Sequence, residues 1–269
     1  MMIKLRVDVL MMQRGLVESR SQAQRLVMAG QVRLAGQVVL KPSDLVSETA
    51  DIQIEHGPPF VSRGGEKLAA ALAQFPIAVG ECVCADVGSS TGGFTDCLLQ
   101  HGAAKVYAID VGYGELHWKL RQDARVVVME RTNARYVVAL PEKVSLVTLD
   151  ASFISLKILL PVVKGWLPLD GGDVVPLIKP QFEAGREEAQ RGEGVIHDIN
   201  VHRQVLLDVL TFAVQHGFVL KGLITSPLRG AKGNIEFLAH LSTVEDGISL
   251  PVDKVIQAIL PEFPMDQAT

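Results

Sequence analysis

The central segment of the chain reads Cys82-Val-Cys-Ala-Asp-Val-Gly-Ser-Ser-Thr-Gly-Gly-Phe-Thr-Asp96. Its first six residues form an apolar run that predicts a β-strand, and a glycine-rich turn follows and opens a helix near Gly92. Glycines at the carboxyl end of a parallel strand let the backbone approach a ligand closely. We therefore expect a ligand-binding edge at this turn, although a glycine-rich turn alone also occurs for purely structural reasons.

Outward from this segment, predicted strands alternate with predicted helices. We predict strands over 82–87, 105–111, 126–130, 146–149, 173–178, 220–227 and 236–241, and helices over 67–74, 92–101 and 199–216. Such alternation is typical of an α/β domain, in which helices cover both faces of a mostly parallel sheet.

The strand after the glycine-rich turn ends at Asp110, and this carboxylate completes the pattern of a nucleoside site. An acidic side chain at that strand end accepts hydrogen bonds from the ribose hydroxyls of an adenosine. The turn from Gly88 to Gly92 is neither the GxGxxG of dinucleotide-binding proteins nor a P-loop, which needs Lys-Ser/Thr after the glycines. An adenosyl ligand without phosphates therefore fits this pattern better.

The first 41 residues carry an excess of positive charge, although the formal net charge of the chain is −4. They hold seven Lys or Arg residues against two Asp or Glu. A basic segment of this kind can neutralise the phosphates of a nucleic acid. A solvated helix face would show the same charges, so the charge alone leaves both interpretations open.

Two short helices, over 7–12 and 21–28, and short strands near 32–34, 38–40 and 51–55 are predicted in this N-terminal part. They form a small α+β unit. We place a first domain at 1–56, a stiff linker that contains Gly57-Pro-Pro59 at 57–63, and a second domain at 64–269.

Several classes of protein are excluded or disfavoured by the composition. No stretch of the 269 residues approaches the roughly 18 uninterrupted apolar residues of a membrane span. The N-terminus lacks the apolar core of a secretory signal, so we expect a cytoplasmic protein without membrane association. Three cysteines cannot complete a disulfide framework, and the seven histidines lack metal-binding spacing, so no metal site is predicted. The oligomeric state cannot be inferred from the sequence.

Further motifs make a family resemblance specific. The segment from Asp86 to Asp96 resembles the S-adenosylmethionine motif of the TlyA family, which is related to FtsJ-type ribose methyltransferases. Five further segments resemble sequence blocks of the same family and occur in the same order, namely residues 61–68, 149–156, 178–183, 194–198 and 233–237. The basic N-terminal unit is similar to the RNA-binding domain named after ribosomal protein S-four. The resemblance thus covers essentially the whole chain.

This resemblance implies a Rossmann-like methyltransferase domain that uses S-adenosylmethionine, preceded by a small α+β RNA-binding domain. The implied reaction is methyl transfer to the 2′-hydroxyl of a cytidine ribose in 16S or 23S ribosomal RNA, or in both. Ribosomal RNA and ribosomal subunits are therefore the expected partners. Two other classes are weighed against it: a ribosome-binding or RNA-binding protein without catalysis, and a cytolysin, because some family members are labelled haemolysins.

The catalytic tetrad of ribose methyltransferases falls, by this resemblance, on Lys67, Asp150, Lys179 and Glu236. Lys179 takes the central role, because it can steer or accept the proton of the 2′-hydroxyl, a poor nucleophile at neutral pH. Asp150 and Glu236 would orient the two lysines and balance their charge. Any one of these residues alone would be interpreted as part of an ordinary surface ion pair, but the four together in matching motifs favour a catalytic site.

The remaining site residues are assigned in the same way. Cofactor-binding residues are expected at Asp86, Gly88, Ser90, Gly92, Gly93, Asp110, Thr132, Asn133, Asp150 and Phe153. The Phe153 ring is expected against the adenine, and a core aromatic is the alternative. RNA contacts, chiefly to phosphates, are expected at Arg6, Arg14, Ser19, Arg20 and Arg25. Residues 185–194 form either a loop that covers the bound nucleotide or an exposed connector.

Overall fold

The structure, a computed structural model, describes residues 4–55, 57–185, 193–244 and 248–260. The chain divides into two compact units, Met1–Pro59 and Phe60–Thr269, and the predicted linker at 57–63 includes the point of division. Residues 186–192, the centre of the segment predicted to cover the nucleotide, lie outside the described residues.

The first unit is a small α+β structure. Its strands are β1 (Lys4–Arg6), β2 (Val32–Leu34), β3 (Gln37–Val38), β4 (Leu45–Ser47) and β5 (Ile52–Ile54), and its helices are α1 (Val7–Gln13) and α2 (Arg20–Met28). β1 pairs with β4, and β2 pairs with β3 and β5, all antiparallel. Both predicted helices are present, and their apolar faces pack in one core that includes Val7, Met11 and Val27. Strands β1 and β4 were not predicted; they pair with each other across the first unit, a contact that no local pattern records.

The second unit contains the strands β6 (Val83–Val87), β7 (Lys105–Ile109), β8 (Val126–Met129), β9 (Leu146–Leu149), β10 (Asp173–Ile178), β11 (Val219–Thr225) and β12 (Phe237–Ser242). Its helices are α3 (Gly64–Gln74), α4 (Gly93–Gln100), α5 (Trp118–Arg121), α6 (Leu156–Lys164), α7 (Pro180–Glu183), α8 (Ile199–Gln215) and α9 (Val252–Ile259). Single 3₁₀ turns occur at Ala134–Tyr136 and Ala231–Gly233.

The seven strands form one sheet in the order β11-β12-β10-β9-β6-β7-β8. Pairs from β10 to β8 are parallel, and β12 runs antiparallel to both of its neighbours. Successive residues of β6 enter opposite cores: Cys84 packs with residues of α3 and α4, and Ala85 packs with residues of α6 and α8. Both faces are therefore covered, which explains the nearly continuous apolar strands. The predicted α/β fold class is confirmed.

Some helices of this unit differ from the prediction. Helix α6 was not predicted, because residues 158–163 are apolar at every position and include Pro161, so they show no helical period. Helix α3 begins three residues earlier than predicted, at Gly64, since two glycines weaken the sequence signal of its first turn. Within the described ranges, no helix is long and apolar enough to cross a membrane.

Candidate active site

The glycine-rich turn connects β6 to α4 and packs against the end of β9. Gly88 has φ +82, and a Cβ at this position would lie 2.7 Å from the carbonyl oxygen of Asp150. A larger residue would therefore push apart two strand ends that must lie close together. Gly92 has φ +97 and faces Leu116 and Leu120, where a Cβ would clash. Gly92, which was predicted to bind the cofactor, therefore packs against the protein interior and fixes the conformation of the turn there.

Asp86, another predicted cofactor residue, lies below the turn rather than in a cavity. Its side chain is completely buried and accepts hydrogen bonds from the hydroxyls of Thr95, at 2.6 Å, and Thr148, at 3.1 Å. Burial raises the pKa of this carboxyl from 3.8 to about 7. Asp86 therefore joins β6 to α4 and β9 and supports the turn.

A cavity of about 640 Å³ opens at the carboxyl ends of β6, β7 and β9. Among the predicted cofactor residues it is lined by Gly88, Ser90, Asp110, Thr132, Asn133, Asp150 and Phe153. Its size lies within the range of small-molecule and cofactor pockets. The apolar wall is completed by Ile109, Ile158 and Leu159, so the cavity combines an apolar body with polar groups at its edge.

Asp110 is held rigidly at the rim of this larger cavity. Oδ2 accepts the backbone N–H of Ser90 at 2.8 Å, and Oδ1 accepts that of Gly112 at 2.7 Å. Each carboxylate oxygen keeps a further lone pair for a ligand hydroxyl. The carboxylate thus offers acceptor positions at the cavity rim, and the residues present fit an adenosyl cofactor.

Glu115 is a further lining residue that sequence reasoning missed. Its carboxylate accepts the Ser90 hydroxyl at 3.2 Å, beside Asp110. The residue lies in an irregular loop after β7, where no periodicity distinguishes one polar side chain from another. A second carboxylate shortly after Asp110 is the only sequence signal that could have found it.

Phe153 lies on the wall of the larger cavity. The residue is 90% exposed, its backbone has φ +63, and its ring centroid is 4.8 Å from that of Phe182. The alternative of a core aromatic is therefore wrong. An exposed ring on a cofactor-sized cavity is available to pack against a flat ligand.

A second cavity, of about 290 Å³, adjoins the first. Gly88, Ser90 and Asp150 line both cavities, and Gly93 and Lys67 line the smaller one. Arg63 and Arg229 also line it and are exposed. The smaller cavity thus has a cationic wall and meets the larger one at the end of β9.

The four residues of the predicted tetrad form two ion pairs. Lys67 Nζ lies 2.6 Å from Glu236 Oε2, and Lys179 Nζ lies 2.7 Å from Asp150 Oδ1. Lys179 also donates to the Asp150 carbonyl at 3.1 Å and to Ser152 Oγ at 3.0 Å. All four side chains are at most 24% exposed. The structure thus brings together, at the carboxyl edge of the sheet, residues from four distant parts of the chain.

Two neighbours hold Glu236 in place. Gln181 donates its side-chain amide to Glu236 Oε1 at 3.3 Å. A Cβ on Gly230 would lie only 1.9 Å from the same oxygen, so the backbone there must remain without a side chain. Neither residue was predicted, because their link to Glu236 depends on how separate loops meet.

Four of the five predicted RNA contacts make contacts within the first unit. Arg6 and Arg20 both bind the buried Asp8, at 3.0 and 2.9 Å, and these bonds hold the pKa of that carboxyl well below its usual range. Arg14 donates to the carbonyls of Glu48 and Ala50, and Ser19 caps α2 by accepting the N–H of residue 22. The fifth residue, Arg25, is exposed on α2.

The sheet order and the cavity at its parallel strand ends define a Rossmann-like, nucleoside-binding enzyme domain. A family model described as FtsJ-like methyltransferase matches residues 60–243, and one described as S4 domain matches residues 5–52. The chain belongs to the FtsJ-like methyltransferase family. S-adenosylmethionine is the cofactor that this membership implies.

Known proteins are similar over most of their length. The 16S/23S rRNA (cytidine-2'-O)-methyltransferase TlyA of Mycobacterium tuberculosis strain H37Rv is 46% identical over 245 residues, which cover 90% of this chain and 91% of that protein. YqxC of Bacillus subtilis strain 168, named as a candidate rRNA methyltransferase, is 45% identical over 266 residues, with coverage of 95% and 93%. A solved structure described as a candidate hemolysin from Streptococcus thermophilus has a TM-score of 0.70 at 44% identity and 96% coverage of both chains. The resemblance predicted from the motifs is confirmed.

Proposed function

We propose that this chain transfers a methyl group from S-adenosylmethionine to the ribose 2′-hydroxyl of a cytidine in ribosomal RNA. The observation that carries the proposal is the position of the two ion pairs. Asp150 of one pair lines both cavities, and Lys67 of the other pair lines the smaller cavity. The larger cavity is assigned to the cofactor and the smaller one to the target nucleotide.

S-adenosylmethionine supplies an activated methyl group on a sulfonium ion. Asp110 and Glu115 are assigned to the ribose hydroxyls of its adenosine, and the Phe153 ring to the adenine face. Thr132 and Asn133 are assigned to the adenine edge. The backbone of Gly88 and Ser90 lies where the two cavities meet, so it borders both the methyl donor and its acceptor.

The chain's own residues must activate the hydroxyl. Bound S-adenosylmethionine would supply the methyl carbon to which this oxygen bonds. The hydroxyl proton would pass to Lys179 Nζ once that ammonium has given a proton to Asp150, its ion-pair partner. Asp150 and Ser152 fix the position of that nitrogen. The ammonium of Lys67, balanced by Glu236, stabilises the negative charge that develops on the 2′ oxygen.

Several observations support RNA as the methyl acceptor. The first unit matches the S4 domain, and similar proteins are named for action on ribosomal RNA. Two exposed tyrosine rings near the larger cavity have an arginine guanidinium stacked over them. The guanidinium of Arg131 lies 4.1 Å from the ring centroid of Tyr113, and that of Arg135 lies 5.5 Å from the ring centroid of Tyr136. Such pairs suit stacked bases and neighbouring phosphates. A ribosomal substrate would place the enzyme in the cytoplasm.

The test uses tritiated S-adenosylmethionine with purified 30S subunits, 50S subunits and 70S ribosomes. Wild type is compared with Lys179→Ala and with the control Lys143→Ala, whose exposed ammonium donates to the carbonyl of Gly165. We expect label in 2′-O-methylcytidine after nuclease digestion, a loss of at least about 100-fold in Lys179→Ala, and wild-type activity in the control.

Two outcomes favour the competing classes. Cofactor binding without transfer to any particle would shift the assignment to a ribosome-binding protein or to another RNA. Lysis of erythrocytes by the same purified protein, undiminished in Lys179→Ala, would favour the cytolysin.

The domain boundaries 1–56, 57–63 and 64–269 stay predictions, which limited proteolysis can test.

A further inference from the structure

Glu183, the last residue of α7, contacts the N-terminus of helix α6. Its Oε1 accepts the backbone N–H of Leu156 at 2.7 Å, and its Oε2 accepts the Ser155 hydroxyl at 2.6 Å. The first N–H groups of a helix have no partner within the helix, and the helix dipole favours a negative charge there. The carboxylate therefore anchors the start of α6 from a position 27 residues further along the chain.

The anchored segment is one wall of the larger cavity. Residues 150–155 connect β9 to α6, and all six of them line that cavity. Within the segment Phe153 has φ +63, a region that side-chain-bearing residues rarely adopt without support from their surroundings. The shape of this wall must therefore be imposed by contacts outside the segment.

Three of those contacts come from one short stretch, Lys179–Glu183. Lys179 holds the near end of the wall through Asp150 and Ser152. Phe182 packs its ring against Phe153 in the middle, and Glu183 holds the far end at Ser155 and Leu156. The proposed mechanism uses Lys179 and leaves the burial of the Glu183 carboxylate unexplained. Burial alone is unfavourable for that carboxylate and raises its pKa.

We propose that Glu183 is a positioning residue for the cofactor: it fixes the far end of the 150–155 wall and thereby the form of the cavity that S-adenosylmethionine occupies. This inference rests on the proposed assignment of the larger cavity to the cofactor. Lys179 holds the same wall and is also assigned to the methyl acceptor, whereas Glu183 acts only through the wall, on the methyl donor.

The test measures cofactor affinity and turnover separately. Isothermal titration calorimetry of the full chain, without RNA, gives the Kd for S-adenosylmethionine and for S-adenosylhomocysteine. The variants are Glu183→Ala, Glu183→Gln and Ser155→Ala. The matched control is Glu142→Ala, since Glu142 is an exposed carboxylate that also accepts two hydrogen bonds, from Lys105 and Tyr107.

For Glu183→Ala we expect a Kd raised about tenfold, with kcat at saturating cofactor within about threefold of wild type. Glu183→Gln should restore most of the affinity, because its amide oxygen still accepts the Leu156 N–H. Ser155→Ala removes the hydroxyl bond to Glu183 together with the cap bond from the Lys157 N–H, and it should show a smaller loss in the same direction. If Glu183→Ala does not fold, the Kd of Ser155→Ala still tests the inference.

A folded Glu183→Ala variant with the wild-type Kd would overturn the inference and reduce Glu183 to a helix cap. Unchanged affinity in a folded Ser155→Ala variant would do the same if Glu183→Ala is insoluble. The proposed function fails separately: wild type would then bind S-adenosylmethionine but methylate no ribosomal particle, and the Kd comparison would still be readable.

Discussion

Lys67 Nζ lies 2.6 Å from Glu236 Oε2, although the two residues are 169 positions apart in the chain. Lys67 comes from the first turns of α3, and Glu236 directly precedes β12. Their side chains are only 12% and 3% exposed. Removing one partner of such a buried pair leaves an uncompensated charge, which costs about 3–5 kcal/mol. This contact therefore couples the stability of the domain to the chemistry of its site.

Because of this coupling, we expect Lys67→Met to lower the free energy of unfolding by about 3 kcal/mol, since Glu236 stays buried without its cation. The double variant Lys67→Met/Glu236→Leu should recover most of this loss, because no unpaired charge remains. Urea titration of wild type, both single variants and the double variant measures the coupling as a double-mutant cycle. Simple addition of the two single losses would contradict it.

Replacement of Gly230 tests the placement of Glu236 alone. In Gly230→Ala the new Cβ would lie 1.9 Å from Glu236 Oε1, so the carboxylate must move away from Lys67. We expect kcat to fall by at least about tenfold while the Kd for S-adenosylmethionine stays unchanged. Gly80→Ala is the control, because a Cβ at Gly80 meets no atom within 4 Å. Equal kcat values for the two variants would refute the placement.

Asp86 makes stability depend on pH. The folded state holds the Asp86 proton up to a pKa of about 7, whereas the unfolded chain releases it near 3.8. Between these two pKa values the folded state binds more protons than the unfolded state. The contribution of Asp86 to the free energy of unfolding therefore falls as pH rises through this range, by on the order of 4 kcal/mol in total. Asp86→Asn should remove this fall. Urea unfolding midpoints of wild type and Asp86→Asn, measured between pH 4.5 and 8, test this prediction. If the midpoints of the two proteins change with pH in the same way, the effect is excluded.

Arg25 separates RNA binding from folding in the first unit. Arg25 is exposed, whereas Arg14 donates to two backbone carbonyls. We expect Arg25→Ala to leave the melting temperature unchanged and to reduce the slope of log affinity against log salt for ribosomal subunits by about 1. Arg14→Ala should lower the melting temperature. The control is Arg125→Ala, in the other unit and paired with Asp123; an Arg25 slope equal to that of the control would exclude the phosphate contact.

The part of the site that follows from strand order was accessible from the sequence. Asp110, Asp150 and Lys179 each come directly after a parallel strand, and the carboxyl ends of such strands share one edge of the sheet. The residue types and the turn between β6 and α4 then predict a nucleoside site. These inferences need no knowledge of how loops pack.

Other parts depend on packing that no local pattern records. Asp86 and Asp110 both belong to strands or strand ends, yet Asp86 is enclosed by Thr95 and Thr148 while Asp110 faces a cavity. Glu115 and Glu183 act from irregular segments or a single turn of helix. The pairing of Lys67 with Glu236, rather than with Asp150, follows from the place of β12 in the sheet, which the sequence does not specify.

The reversed direction of β12 has an evolutionary consequence. Because this strand enters the sheet from the active edge, the last tetrad residue is delivered by the loop that precedes it, at 226–236, and not by the strands that build the larger cavity. The same loop supplies Arg229 and Gly230 to the smaller cavity. Under the proposed assignment of the two cavities, this loop contributes to the acceptor side only, because none of residues 226–236 lines the larger cavity. We expect an exchange of residues 227–235 between related enzymes to alter the contacts of the smaller cavity while leaving the lining of the larger cavity intact.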